Sequence, residues 1–306
     1  MPTESTIHPA CPGCSLHNLD DKGEIFHPNP ALVAGVPITF AHSSYHLLAC
    51  RDCHLWFKSP PVDEQALMDC YAKSKFSHWS TRPDPLLRRF DQLLAQVKQH
   101  SPGPDVLDIG CFNGGMLEYF GPDYRRFGIE PSVEAAAVAR ERGVDVIAAT
   151  VMDLPPEPRF DAVLAIDVLE HIVKPSAFLA KVAAILRPGG AFISLTGDVG
   201  AWGWNLQTAR YYYCSLPEHV TFFSRASLGE LGKRVGLHEA FYSRTPHHRA
   251  RSADTIRDLV KNVGFSSAIS LGAEHLPVLG PRLHRRAPGW GSASDHMLHV
   301  ARKQRA

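Results

Sequence analysis

Residues 106–115 read VLDIGCFNGG. An apolar strand, Val106–Ile109, runs into an acid-bearing loop with glycines at 110, 114 and 115. Glycine tolerates backbone conformations closed to other residues, so such a loop turns sharply and leaves room for a ligand. The residues after Gly114 then start a helix carrying Met116, Leu117 and Phe120. Arg126–Glu130 reads as a second strand, and Glu130 stands at its end, 22 residues beyond Asp108. A carboxylate placed there can accept both hydroxyls of a ribose. The loop lacks the usual dinucleotide glycine spacing, and Phe112 narrows the space a pyrophosphate needs. It also lacks the lysine and hydroxyl residue of a phosphate-gripping loop. An adenosine ligand without phosphate fits best.

The pattern continues outward. Val133–Arg142 is an alanine-rich helix, and strands follow at Val144–Ala148 and Asp161–Ile166. Pro175–Leu186 is helical, Ala191–Leu195 is a strand entered through Pro188-Gly189-Gly190, and Ser224–Val235 is a helix stopped by Gly236. Leu237–Ser243 and Asp295–Ala301 are two late strands with no ordinary crossover between them, which predicts an antiparallel edge pair. Between them, Thr255–Val263 is predicted helical and 270–292 loop. Strands separated by helices of this length predict a mostly parallel sheet with helices on both faces. Upstream, Asp63 caps a short helix bearing Ala66, Leu67 and Tyr71. Asp84 caps a longer one, with Pro85 in its first turn and Leu86, Leu87, Phe90, Leu93, Leu94 and Val97 on one face. SPGP at 101–104 ends it.

Four stretches in order, VLDIGCFNGG, FGIEPS (127–132), FDAVLAIDVLEHI (160–172) and LRPGG (186–190), resemble the class I S-adenosylmethionine-dependent methyltransferases. The resemblance implies a Rossmann-like, doubly wound α/β fold with an antiparallel last strand. It implies that Asp108, Gly110, Cys111 and Gly114 hold the methionine half of S-adenosylmethionine and that Glu130 holds the ribose. Ile129 and Pro131 would shape the adenine side, Asp153 would take the adenine amino group, and Met152 would pack on the ring or simply in the core. Ile166 and Asp167 would line the path to the methyl group. Glu170-His171 recurs in the family across different acceptors and is read as structural. Phe112 replaces a glycine common in the family.

Acceptor contacts are expected after the fourth and fifth strands. WGWNLQTARYYYC (202–214) gathers Trp202, Trp204, Tyr211, Tyr212 and Tyr213, which either line a substrate slot or pack a lid. His219, in LPEHVTFF, is the candidate general base, with a structural bond to a loop carbonyl as the alternative.

Two C-x-x-C pairs, Cys11/Cys14 and Cys50/Cys53, suit a closed, structural four-thiolate zinc site, with His17 or His54 as substitutes for one ligand. Cys70, Cys111 and Cys214 read as small buried hydrophobes. The expected organisation is a zinc-ribbon-like module over 1–60, a linker and helical cap over 61–104, and a methyltransferase domain over 105–306 with an insertion at about 245–293. The module resembles that of bacterial sugar and secondary-metabolite methyltransferases, some of which methylate carbon. A single base such as His219 suits a hydroxyl, so O-methylation of a small molecule is the expected reaction. C- or N-methylation and an rRNA or tRNA base are the alternatives. The 32 basic side chains balance 31 acidic ones, which disfavours nucleic acid, although Arg282, His284, Arg285 and Arg286 form a local cluster. No apolar run spans a bilayer and no secretory signal opens the chain, so a cytoplasmic location is expected. Oligomeric state is not encoded in any of these patterns.

Overall fold

The computed structural model describes residues 9–27, 31–42, 44–74, 87–157, 159–246, 252–278, 283, 287–290 and 294–305. Five strands come first: β1 (Leu19–Ile25), β2 (Ala31–Val33), β3 (Val36–Ile38), β4 (Tyr45–Cys50) and β5 (Trp56–Ser59). Helices α1 (Glu64–Lys73) and α2 (Leu87–His100) lead into β6 (Asp105–Ile109), α3 (Gly115–Phe120), β7 (Arg125–Ile129), α4 (Val133–Glu141) and β8 (Asp145–Ala148). Then come β9 (Phe160–Ile166), α5 (Pro175–Ile185), β10 (Leu186–Gly197) and α6 (Trp202–Gln207). The two-residue β11 (Thr221–Phe222), α7 (Arg225–Lys233), β12 (Leu237–Thr245), α8 (Ser252–Ser270) and β13 (His296–Lys303) complete the order.

Seven strands form the main sheet in the order β12-β13-β10-β9-β6-β7-β8. β8, β7, β6, β9 and β10 run parallel, whereas β13 is antiparallel to both β10 and β12. The fold predicted from the sequence, with its antiparallel last strand, is therefore the one found. Successive residues of β9 face opposite cores: Ala162 and Leu164 pack with α2, α3 and α4, and Val163 and Ala165 pack with α5 and α7. Burial on both faces is why these strands read as unbroken apolar runs.

α1 starts where predicted, because the Asp63 side chain accepts from the Gln65 and Ala66 amides. In α2, Leu93 and Val97 are buried, and the predicted Asp84 cap, Pro85 and Leu86 lie outside the described residues. β10 starts earlier than predicted and carries a register shift between Leu186 and Ala191, where Pro188-Gly189-Gly190 bends it. α8 extends well past the predicted Thr255–Val263. It continues through Gly264, a residue that disfavours helix and at which the predicted segment stops.

The amino-terminal strands build a second sheet, β1-β4-β5-β11, and β2 pairs with β3 as a separate hairpin. β11 belongs to the carboxyl half of the chain: Thr221 pairs with Phe57 and Phe222 with Trp56. The switch in strand order lies between β6 and β9, and an open α/β sheet receives its ligand beyond the carboxyl ends of the strands at that point.

Candidate active site

The loop after β6 is shaped by its glycines. Gly110 has φ +74°, and a Cβ there would come within 2.9 Å of Val168 Cγ2. Gly114 has φ +73° and lies against Val144 and Ala139 of the neighbouring helix and strand. Phe112 also adopts a positive φ, +48°. Its amide donates to Glu130 Oε2 at 2.9 Å, and the Ser132 amide donates to Glu130 Oε1 at 2.8 Å. Glu130 thus closes the loop onto the end of β7, with lone pairs left for other donors. Burial raises its pKa, and the two amides counter that effect. Cys111 is buried under the loop, with its sulfur against Gly128.

Asp108, at the end of β6, is 3% exposed, and its Oδ1 has no hydrogen-bond partner among the described residues. Burial, then the charge of Glu130, pushes its pKa well above the carboxylate range. Asp167, just past β9, sits at φ +53° and accepts from Arg89 Nη1 of α2 at 3.1 Å. The other terminal nitrogen, Nη2, is buried without a partner among the described residues. A buried polar atom left unpaired is costly, and such atoms in a native fold call for a ligand or a water. A methionine end carries an ammonium, which donates, and a carboxylate, which accepts. Asp108 Oδ1 and Arg89 Nη2 offer the complementary pair, so S-adenosylmethionine fits the residues present.

Of the residues expected near adenine, Asp153 is exposed, and its carboxylate accepts from the Thr150 amide to cap a short turn. Met152 is 55% exposed beside it, so it is not a core residue here. Ile166 is half-buried at the end of β9.

Beyond Asp167 lies a buried polar cluster. Glu170 is 1% exposed and accepts from Thr196 Oγ1 at 2.8 Å and from the Tyr213 hydroxyl at 2.5 Å. His171 Nδ1 lies 2.9 Å from the Tyr71 hydroxyl and 3.1 Å from the Glu218 carbonyl. His219 is buried, with Nδ1 3.2 Å from the Tyr213 carbonyl and its ring 4.0 Å from that of Tyr213. Burial, then the neighbouring His171, Lys58 and His296, holds its pKa well below that of free histidine. Its imidazole is therefore neutral, with Nδ1–H donating to the carbonyl and Nε2 as the basic atom. Ligand atoms of Glu170, His171 and His219 all lie within 4.8 Å of one another.

The aromatic segment divides. Trp204 and Tyr211 are fully buried, and Tyr213 nearly so, in one core with Phe222 and Tyr45. Tyr211 and Tyr212 both donate to Asp295, at 2.5 and 3.1 Å. Trp204 and Tyr211 have no exposed surface to offer an acceptor, whereas Tyr212 is half-buried and Trp202 is 55% exposed. Arg89, Tyr71, Thr196 and Asp295 carried no sequence signal, because each reaches the cluster through a contact distant along the chain.

The four paired cysteines meet. Cys11 Sγ lies 3.5 Å from Cys53 Sγ, Cys14 Sγ lies 3.5 Å from Cys50 Sγ, and no disulfide joins them. All four sulfurs fall within 4.8 Å of one another. Each pair sits on a similar turn, closed by Ser15 N to Cys11 O and by His54 N to Cys50 O. Ser15 and His54 take positive φ values, +64° and +60°, at the positions where glycine often relaxes such turns. Neither His17 nor His54 enters the cluster. The donor set and its spacing fit a tetrahedral zinc ion.

The methyltransferase-domain family matches residues 78–239. The ubiquinone biosynthesis O-methyltransferase of Bradyrhizobium sp. (strain ORS 278) is 35% identical over 120 residues, 37% of this chain and 47% of that protein. The protein of the same name from Rhodopseudomonas palustris (strain BisB18) is also 35% identical over 120 residues, with the same shares. The chain therefore spans about half the length of the curated relatives it matches. Among solved structures, the 1,6-didemethyltoxoflavin-N1-methyltransferase of Burkholderia thailandensis superposes with a TM-score of 0.51 at 18% identity, over 87% of this chain and 98% of that one. That likeness speaks to the fold alone. With more than half its length matched, and with the strand order and glycine loop described above, the chain belongs to the class I S-adenosylmethionine-dependent methyltransferase family.

Proposed function

We propose that the protein transfers a methyl group from S-adenosylmethionine to a hydroxyl of a small molecule. The observation that carries this reading is the pair of unpartnered buried atoms, Asp108 Oδ1 and Arg89 Nη2, flanking the loop after β6. They match the ammonium and carboxylate of a methionine end. Glu130 holds the ribose, Asp153 and Met152 meet the adenine, and Gly110, Cys111, Gly114, Ile166 and Asp167 shape the methionine channel. The names of the curated relatives support an oxygen acceptor. The narrower choice of a secondary metabolite or sugar rests on the sequence resemblance alone.

The sulfonium of the cofactor supplies an electrophilic methyl group. The protein's part is to orient the acceptor hydroxyl and remove its proton. His219 Nε2 takes that proton. Its Nδ1–H, held on the Tyr213 carbonyl, fixes the tautomer that leaves Nε2 basic. Glu170 anchors Tyr213 and so keeps His219 in place. Tyr212 and Trp202 offer the aromatic surface for the acceptor. The four cysteines hold one structural zinc ion, because a closed thiolate set leaves no open coordination position. The organisation that follows is a zinc module over 1–60, a linker and cap over 61–104 and a catalytic domain from 105.

Calorimetry with S-adenosylhomocysteine tests the cofactor site. Asp108→Ala and Arg89→Ala should each weaken binding by about tenfold or more, the scale of a lost charge-assisted hydrogen bond. NAD and ATP should not bind, since nothing at the loop grips a phosphate. Parent-like affinity in both variants would overturn the assignment. Methyl-labelled S-adenosylmethionine offered with a panel of phenols, catechols and sugars should give a labelled methyl ether. Label recovered only on nitrogen or carbon would overturn the hydroxyl.

A further inference from the structure

An ordinary surface helix buries its apolar stripe and turns its polar side to water. Helix α8, 19 residues long in the insertion between β12 and β13, does the reverse. Asn262 is fully buried, and its Oδ1 accepts from Gln207 Nε2 of α6 at 2.8 Å, so the side bearing Asn262 faces the body of the molecule. Ile256, Leu259, Val260 and Val263 follow the i, i+3, i+4, i+7 spacing of a single helical stripe, yet they are 64, 41, 66 and 39% exposed. Leu271 and Val278, beyond the end of the helix, are 85 and 77% exposed. Aliphatic side chains gathered in this way mark an interaction surface, whereas single scattered ones need no explanation. We propose that α8 docks the protein on the surface of an anionic phospholipid bilayer, with the stripe from Ile256 to Val263 set below the headgroups and the basic residues around it at the lipid phosphates.

The charge of the insertion selects this partner. Residues 246–292 hold seven Lys and Arg, at 249, 251, 257, 261, 282, 285 and 286, against three acids, at 254, 258 and 274, a net of +4. The whole chain is +1, so the rest of it totals −3. The positive charge is thus concentrated in the one segment that also shows an outward apolar stripe. Arg257 and Lys261 are exposed on α8 itself, and Arg249 and Arg251 immediately precede it in the sequence. Arg257 is paired with Asp254 at 2.9 Å, a pair the net count already includes. Apolar area and Lys or Arg charge together are what bind an amphipathic helix to anionic lipid. No helix among the described residues is long and apolar enough to cross a bilayer, and α8 carries Asp254, Arg257, Asp258 and Lys261 within its length, so it rests on the surface.

Two other partners fit less well. Pairing α8 with α8 of a second copy would bring two cationic segments together, and like charges repel. Four aliphatic side chains, none of them fully exposed, also offer far less than the roughly 800 Å2 per partner that a stable protein interface buries. A nucleic acid would use the charge and leave the stripe in water.

The test is sedimentation of the full-length, zinc-loaded protein with vesicles of phosphatidylcholine alone, and of phosphatidylcholine and phosphatidylglycerol in equal parts. Binding to the mixed vesicles should be about tenfold tighter or more and should weaken as salt is added, because the Lys and Arg contribution is screened. Val260→Asp should lower affinity for the mixed vesicles by about tenfold or more, the scale of one buried valine. Its melting temperature and S-adenosylhomocysteine binding should match the parent, because Val260 packs on nothing it needs. Ile256→Ser should act in the same direction and decides the matter if Val260→Asp fails to fold. Arg249→Gln combined with Arg251→Gln should weaken binding to the mixed vesicles alone. Equal binding to both kinds of vesicle, no binding to either, or parent-like binding in Val260→Asp and Ile256→Ser would each overturn the proposal. A dimer in sedimentation equilibrium that Val260→Asp dissociates would overturn it in favour of a second copy. Binding of a single-stranded RNA oligonucleotide in place of the mixed vesicles would overturn it in favour of nucleic acid.

Discussion

A histidine placed in a fully packed cluster is a different base from one in water. His219 is kept neutral chiefly by burial, then by the cationic forms of His171, Lys58 and His296. A base acts only in its unprotonated form, so the rate should rise with pH through the pKa of this histidine and then level. Since that pKa is depressed, the rising limb should lie below the usual histidine range of about 6.5 and the rate should already be flat at neutral pH. His219→Ala should lower single-turnover methylation by roughly a hundredfold and leave S-adenosylhomocysteine binding intact. A variant that keeps its chemical rate but binds acceptor weakly would make His219 a positioning group. Asp108 obeys the opposite sign. Its pKa is raised, so it is protonated over part of the acid range, and cofactor affinity should climb as pH rises through that raised value and Asp108 ionises. Asp108→Asn should flatten the climb.

Among the elements, β7 shows how closely the sheet and the loop are fitted. A Cβ on Gly128 would stand 2.5 Å from Cys111 Sγ and 3.0 Å from Val144 Cγ1. Cys111 is held beneath the loop by the hydrogen bond its backbone N–H donates to Ile129 O, so it cannot retreat without moving the loop. Gly128→Ala should therefore cost stability on the scale of overpacking, about 1–3 kcal/mol, and weaken S-adenosylhomocysteine binding as well. Thermal melts and calorimetry on the same sample check both, and a variant with unchanged melting would show that Cys111 has room to move. Gly128 also marks what was legible beforehand. The loop, the succession of β6 to β10 along the chain and the antiparallel last strand could be read because each leaves a local signal, even where its pairing is distant: apolar runs buried on both faces, glycines at turns, an acid at a strand end, a late strand without a crossover helix. Arg89 was not legible. It lies on a helix whose apolar face was plain, yet its partner is 78 residues away. β11 was not legible either, since two residues have no periodicity and only Trp56 and Phe57 define them as a strand. For Tyr211 and Trp204 the sequence allows slot or lid, and only burial, which local sequence does not reveal, distinguishes the two.

For the whole molecule, the question is whether the cysteine-bearing strands form a separate bead or a part of one cooperative body. Cys11, Cys50, Cys53, Leu55 and Phe57 share a hydrophobic core with Phe223, Leu228 and Leu231. Gly13 lies so close to Leu55 and Leu231 that a Cβ would touch both at 3.0 and 3.2 Å, and Ser176 Oγ donates to the Pro12 carbonyl. β11 completes the amino-terminal sheet from the other half of the chain. The strand pair β5–β11 also sets the backbone immediately after His219, since Lys58 N donates to Val220 O. A small cysteine-bearing module has little core of its own, so a zinc ion held there, as proposed, would contribute directly to folding. Removal of zinc should therefore be felt well beyond the cysteines. Elemental analysis of protein made with zinc supplied should give about one zinc per chain. Stripping it with a strong chelator, or Cys14→Ser, should lower the single melting temperature by several degrees or more and reduce methylation by loosening the backbone at His219. Two separate transitions, with the main one unmoved, would instead mean that the module is a bead whose loss the rest of the chain does not feel. Zinc-free protein with an unchanged melt would mean that thiols alone, packed at 3.5 Å, hold the turns together.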